Sequence, residues 1–295
     1  MEFYRKFYSH GTPAAVIIEC PDETLQSGKK YPTVILCHGH SRHKNDGLDV
    51  LSHMLAKEGF LVFRHDFRGC GDEAVNKYQL YCASEWPSDL INLINYVESL
   101  GCTDMEKLGV AGISMGACTT IYVSGMDHRI KSLVSMSGIG DCNTWMRYVW
   151  KSMGGDFEAF QDSVNAAARF SAATGEVEIR NVLDMYHFPE KDLADKVLEP
   201  FAYPGNCEYI AWDTMQELLM YKPIEKCPAI TQPVFFLTGE EDMLVPHEQT
   251  EAMYRAVSSK VKKKKDYKGV EHNIPMDPQR EIAFADICAW FKETL

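Results

Sequence analysis

The sequence predicts an α/β fold, with a mostly parallel central sheet, helices on both of its faces and one long insertion. Two observations carry that expectation. Short β-branched and aliphatic runs alternate with amphipathic segments of helical spacing, the pattern of strand–helix–strand units. The alternation is interrupted once, over residues 141–225, and resumes after it.

In chain order, residues 14–20 (AAVIIEC) and 33–37 (TVILC) read as strands. Val50, Leu51, Met54 and Leu55 share one face of a helix over 49–58. Residues 60–67 (FLVFRHDF) form a strand, and Pro87 opens a helix carrying Leu90, Ile91, Leu93, Ile94 and Val97. A strand over 107–114 (KLGVAGIS) leads into a small-residue helix over 115–123, followed by a strand over 130–137 (IKSLVSMS). After the interruption come a strand at 233–239 (PVFFLTG), a helix over 248–257, a strand near 262–267 and a final helix over 280–292.

The length of 295 residues fits one large domain with an insertion. Hydrophobic residues at 45% and charged residues at 24% exclude a disordered or fibrous chain. A net charge of −12 argues against a broad electrostatic grip on nucleic acid. The one basic run, Lys260 with residues 262–265, is expected along a solvated strand edge. Residues 1–10 lack the apolar core of a signal peptide, and no stretch approaches the roughly 18 apolar residues of a membrane span. The ten cysteines are scattered without a C-x-x-C pair, as expected of reduced thiols in a cytoplasmic protein. The sequence leaves the oligomeric state open, a homo-oligomer included.

Residues 1–140 and 226–295 form the predicted catalytic core, and 141–225 a predicted cap. Those 85 inserted residues hold 15 acidic and 7 basic side chains, so −8 of the total charge of −12 sits on them. They also hold 13 of the 33 aromatic residues, which suits a cover over an apolar pocket. Trp145, Tyr148, Trp150 and Trp212 are candidate substrate-lining residues; the alternative is that they fill a small core of the cap itself.

At Gly112-Ile113-Ser114-Met115-Gly116 the chain reads G-x-S-x-G between a predicted strand and a predicted helix. A serine hydroxyl attacks a carbonyl only when a base removes its proton, so it must project from the backbone. A sharp strand-to-helix turn achieves this, and glycines two residues before and after relieve the crowding. Ser114 is the candidate nucleophile, and the Met115 amide, at a helix N-terminus, is a candidate oxyanion donor.

Such an elbow requires an acid and then a histidine in later loops. The loop after the 233–239 strand offers Asp242, with Glu240, Glu241 and the earlier Asp141 as competitors. His272, between the last strand and the last helix, is the candidate base; His247 follows Asp242 too closely to reach back to it. After the 33–37 strand the chain reads Cys37-His38-Gly39-His40-Ser41-Arg42-His43, and the His40 amide is the second candidate oxyanion donor. The same H-x-H-x-x-H spacing occurs in dinuclear zinc hydrolases. Those carry aspartate before the third histidine, whereas Arg42 stands here, and three histidines are too few for two metals. No metal and no cofactor are expected.

With these residues in this order, the chain resembles the α/β-hydrolase superfamily over roughly residues 14–140 and 226–295, essentially everything but the insertion. Asp66-Phe67-Arg68-Gly69-Cys70-Gly71 is similar to that superfamily's D-x-R-G-x-G turn. Within the superfamily the chain looks most like the bacterial cinnamoyl and feruloyl esterases and their dienelactone-hydrolase-like and acylaminopeptidase-like relatives. They share an H-G-x loop, the elbow, a G-x-x-D-x-x-V-P acid loop and a late histidine. Two features depart from those esterases, which usually carry an apolar residue at the position of His40 and a more compact insertion.

The resemblance implies an α/β-hydrolase fold with an inserted cap, and a Ser-His-Asp esterase that forms an acyl-enzyme on a small-molecule ester with a bulky apolar or aromatic group. Amide, thioester and carbon–carbon bond hydrolysis run on the same elbow. A non-catalytic binding protein and a metallohydrolase complete the alternatives. Neither nucleic acid nor membrane is an expected partner.

Overall fold

An eight-stranded sheet runs through the computed structural model, which describes residues 1–23, 28–71, 85–188, 206–207 and 209–295. From edge to edge the strands are β1 (Glu2–Ser9), β2 (Thr12–Glu19), β4 (Leu61–His65), β3 (Tyr31–Cys37), β5 (Thr103–Ile113), β6 (Ser132–Met136), β9 (Val234–Gly239) and β10 (Lys262–Tyr267). β1 and β2 form an antiparallel hairpin, β2 pairs antiparallel with β4, and all other neighbours run parallel.

Alternate residues of one strand serve opposite cores, as the two-residue period of a strand requires. Val34 and Leu36 pack with Leu51 of α1 (Leu48–Lys57) and Phe284 of α8 (Arg280–Thr294). Ile35 and Cys37 belong to the other face, with Leu93 of α2 (Trp86–Ser99) and Cys118 of α3 (Met115–Ser124). Because helices cover both faces, the central strands read as near-continuous apolar runs, which is why they were visible in the sequence.

β1 is an addition to the predicted elements. Within it only Phe7 and Ser9 are buried, so its run EFYRKFYS lacks the apolar density of the interior strands. At the opposite edge the lysine-rich run forms β10, with Lys263 and Lys264 exposed, the charged edge that discourages pairing with another sheet.

Between β6 and β9 lie α4 (Cys142–Ser152), α5 (Phe157–Thr174), a two-stranded ribbon of β7 (Ile179–Asn181) and β8 (Tyr209–Ala211), and α6 (Met215–Met220). Asp141 caps α4 by accepting from the amides of Asn143 at 2.9 Å and Thr144 at 3.1 Å. Gly175 ends α5 with φ 74°, a left-handed conformation that glycine adopts without strain. Trp145, Val149, Phe157, Phe160 and Trp212 belong to the same continuous apolar cluster as Cys118 and Ile121 of α3. This segment therefore shares the main core on that face of the sheet.

Nine described cysteines are free thiols, and Cys82 lies outside the described residues. Among the described residues no helix is long and apolar enough to cross a membrane.

Candidate active site

Ser114 joins β5 to α3 with φ 54° and ψ −119°, a conformation that crowds the backbone of any residue with a side chain. The flanking glycines make it possible. A Cβ on Gly112 would lie 2.3 Å from the Gly116 carbonyl oxygen, and one on Gly116 2.3 Å from that of His38. The turn is anchored at both ends: the Ser114 amide donates to the Met136 carbonyl at 2.9 Å, and its carbonyl accepts the Cys118 amide at 3.0 Å.

The loops after β9 and β10 bring two further side chains to this turn. His272 Nε2 lies 3.0 Å from Ser114 Oγ, and His272 Nδ1 lies 2.8 Å from Asp242 Oδ2. An Nδ1–H directed at the carboxylate leaves Nε2 as the acceptor for the serine hydroxyl. The other carboxylate oxygen, Asp242 Oδ1, accepts the amides of Leu244 at 3.0 Å and Val245 at 2.8 Å. The Asp242 side chain is 1% exposed, so its lone pairs are directed at these donors rather than at water.

Backbone bonds join the two loops, with the Glu240 amide donating to Tyr267 at 2.9 Å and the Glu241 amide to Val270 at 3.0 Å. Gly239 lets them meet, since a Cβ there would stand 2.2 Å from the Val270 carbonyl oxygen. The competing residues are placed elsewhere. Glu240 and Glu241 are exposed, Asp141 caps α4, and His247 opens α7 (His247–Ala256), 3.9 Å from Asp266.

The loop over 38–47 passes along the other side of the serine, where a Cβ on Gly39 would lie 3.4 Å from Ser114 Cβ. His40 follows in that loop, and the Met115 amide is the first of α3, a position with no acceptor inside its own helix. His38 holds the loop down. Its Nε2 accepts the Phe67 amide at 3.0 Å, which leaves the proton on Nδ1 to donate to the Gly39 carbonyl at 2.8 Å. Burial pushes the His38 imidazole well below its ordinary range, and that of His40 to about 3, so both are neutral at pH 7.

Two buried ion pairs complete the support of this loop, Lys44 Nζ with Asp66 Oδ2 at 2.7 Å and Arg42 with Asp46 at 2.9 Å. The Lys44 amide also donates to Asp66 Oδ1 at 2.7 Å. In the same D-x-R-G-x-G turn, Arg68 donates to Asp89 from its side chain at 2.6 Å and from its amide at 2.9 Å. The motif marks Asp66 and Arg68 in the sequence, but nothing there marks Lys44 or Asp89 as their partners. Ser41, with φ 61°, offers its carbonyl to the amide of Cys207 at 2.9 Å.

The zinc-like histidine spacing does not assemble ligands. His38 is engaged as described, His40 Nδ1 lies 2.5 Å from Ser41 Oγ, and His43 Nδ1 accepts the Asn45 amide at 3.2 Å. Among the described residues no group of three His, Cys, Asp or Glu side chains could hold a metal ion.

Of the four aromatic candidates, Trp145 and Trp212 are buried, Trp150 is half-buried against the core, and Tyr148 is exposed. Trp145 is 2% exposed and donates from Nε1 to the Leu244 carbonyl at 2.8 Å. Trp150 donates to the Met185 carbonyl at 2.9 Å and stacks on Phe160. Trp212 donates to Ser163 Oγ at 3.0 Å, with the Arg180 guanidinium over its ring. The indole nitrogens of all three are already used by protein neighbours, with Trp145 and Trp212 in the core and Trp150 packed against it. Tyr148 is 39% exposed and lines a cavity of about 490 Å³ with Met153, Met243, Glu240, Glu241 and Asp242.

Residues 32–279 match a family model described as alpha/beta hydrolase fold. The chain is 27% identical over 239 residues to an Escherichia coli protein, the uncharacterized 31.7 kDa protein in the traX-finO intergenic region, covering 79% of this chain and 80% of that one. A hypothetical protein from Pseudomonas aeruginosa has a similar structure, with a TM-score of 0.81 at 15% identity, covering 100% of this chain and 94% of the other. Est1E from Butyrivibrio proteoclasticus, in a structure with ferulic acid bound, superposes with a TM-score of 0.68 at 17% identity over 98% of both chains.

Proposed function

The chain belongs to the alpha/beta hydrolase fold family, and on that premise we propose that it is a serine hydrolase of carboxylic esters. The observation that carries the proposal is the unbroken hydrogen-bonded row from Ser114 Oγ through His272 to Asp242, with spacings of 3.0 and 2.8 Å. In the proposed reaction His272 Nε2 accepts the Ser114 proton as Oγ attacks the ester carbonyl. Asp242 keeps the imidazole oriented and stabilises its cationic form. The amides of Met115 and His40 receive the oxyanion, where one such donor is worth roughly 3–4 kcal/mol. His272 then protonates the leaving alcohol, the acyl group remains on Ser114, and the same imidazole activates the water that releases the acid.

A bulky apolar or aromatic group on the substrate is the finer reading. It draws support from the bound ferulic acid in the Est1E structure and from the aromatic content of residues 141–225, which we assign as a cap. A reducing, cytoplasmic setting fits the nine free thiols. The test is hydrolysis of p-nitrophenyl butyrate together with labelling by a fluorophosphonate. The parent protein is expected to do both, and Ser114→Ala neither; a Ser114→Ala variant as active as the parent excludes the mechanism. Matched ester, amide and thioester substrates then rank the bond types, with the ester expected fastest.

A further inference from the structure

Trp145 was a candidate for contact with substrate, yet it is 2% exposed and its indole N–H points at a backbone carbonyl of the acid loop. That carbonyl, of Leu244, belongs to the same peptide unit as the Val245 amide, and the Val245 amide donates to Asp242 Oδ1 at 2.8 Å. A trans peptide unit is planar, with C=O and N–H directed to opposite sides. The unit between Leu244 and Val245 is thus held at both ends, by Trp145 on one side and by the Asp242 carboxylate on the other. It cannot rotate without breaking both bonds.

We infer that Trp145 is a positioning residue for the catalytic acid, acting through that single peptide unit. The row then reads Trp145 Nε1–H to Leu244 C=O at 2.8 Å, Val245 N–H to Asp242 Oδ1 at 2.8 Å, Asp242 Oδ2 to His272 Nδ1 at 2.8 Å, and His272 Nε2 to Ser114 Oγ at 3.0 Å. Leu244 and Val245 are buried, so no water competes for these groups. In such a dry site a carbonyl that accepts a hydrogen bond polarises its peptide and strengthens the opposite N–H as a donor. Trp145 also ties α4, in the inserted segment, to the acid loop by this hydrogen bond. The inserted segment therefore acts on the chemistry through the protein, whatever it does for the substrate. This inference rests on the serine esterase reading, in which the orientation of Asp242 governs the base.

Three variants test it. Trp145→Phe keeps an aromatic ring and removes the donor. Trp145→His gives up the benzo ring but keeps a ring nitrogen at the position equivalent to indole Nε1. Trp290→Phe, on the opposite face of the sheet in α8, is the control for loss of buried packing alone. The readouts are kcat and KM on p-nitrophenyl butyrate and the rate of Ser114 labelling by a fluorophosphonate. Loss of one buried hydrogen bond predicts about a tenfold fall in kcat and in labelling for Trp145→Phe, with KM within about twofold. Trp145→His is expected to recover to within about threefold of the parent, and Trp290→Phe to stay within about twofold. Parent-like kinetics for Trp145→Phe overturn the inference. So do a Phe variant faster than the His variant, or an equal loss in Trp290→Phe, since packing would then explain the effect. Failure of the parent to label, or full activity in Ser114→Ala, removes the esterase reading itself.

Discussion

The two loops that flank Ser114 are held by different chemistry. The acid loop, 239–246, is tied by peptide groups: the Leu244 and Val245 amides on Asp242, and the Glu240 and Glu241 amides on the histidine loop. The loop over 38–47 is tied by buried charges and neutral imidazoles: Lys44 with Asp66, Arg42 with Asp46, His38 and His40. Peptide groups do not titrate, so the bonds from the Glu240 and Glu241 amides to the histidine loop persist at any pH at which the protein is folded. The other loop depends on protonation states that burial opposes. Desolvation pushes the Asp66 and Asp46 carboxyls above their ordinary range, and Lys44 and Arg42 offset only part of that rise. Orientation of the proposed base is thus separated from the costlier electrostatics beside the proposed oxyanion donor.

The sharpest way to break this contrast is within the acid loop. Asp242→Asn preserves the shape but misdirects the imidazole, so ester hydrolysis should fall roughly ten-thousandfold while the melting temperature barely moves. Steady-state kinetics and calorimetry on the same preparation check both halves. In the other loop the balance reverses: Asp66→Asn leaves Lys44 charged and buried, at an expected cost of about 3–5 kcal/mol in urea unfolding.

Acid pH offers the next test. His65 lies under the same loop and is pushed to about 3 by burial, like His40. The unfolded chain takes up these protons near pH 6.5 while the folded protein refuses them. Stability from these groups is therefore complete above about pH 6.5 and drains away as the pH falls toward 3. Between pH 7 and 5 each imidazole should cost up to about 2 kcal/mol, and His65→Leu should flatten the slope by about one proton. A stability unchanged down to pH 5 would deny the neutral imidazoles their role. The smallest effect belongs to Lys44→Met combined with Asp66→Leu, which removes both charges and should stay within about 1–2 kcal/mol of the parent.

Much of this was legible in the sequence because the elements concerned obey local rules. Ser114 sits in a turn whose steric demands are written in Gly112 and Gly116, and the covered strands announce themselves by apolar content. The helix starts at Trp86 and Met115 fell within a residue of expectation, beside Pro87 and Ser114. What escaped was decided by partners distant along the chain. β1 is stabilised by pairing with β2 and not by its own pattern. Lys44 acquires its meaning from Asp66, 22 residues away, and Trp145 from Leu244, 99 residues away. A tryptophan in an aromatic-rich segment looks the same in sequence whether it faces substrate or a carbonyl; only the fold distinguishes the two.

Ser114, Asp242 and His272 come from three loops, with His272 158 residues after Ser114. On a ribosome adding roughly 5–20 residues per second, the proposed nucleophile emerges about 8–30 s before its proposed base. Through that interval the nascent chain carries a serine that nothing deprotonates. Trp145, the strut inferred for the acid, is synthesised within the same interval, ahead of the loop it holds. Reactivity of the proposed triad would be switched on only when the last crossover of the sheet closes.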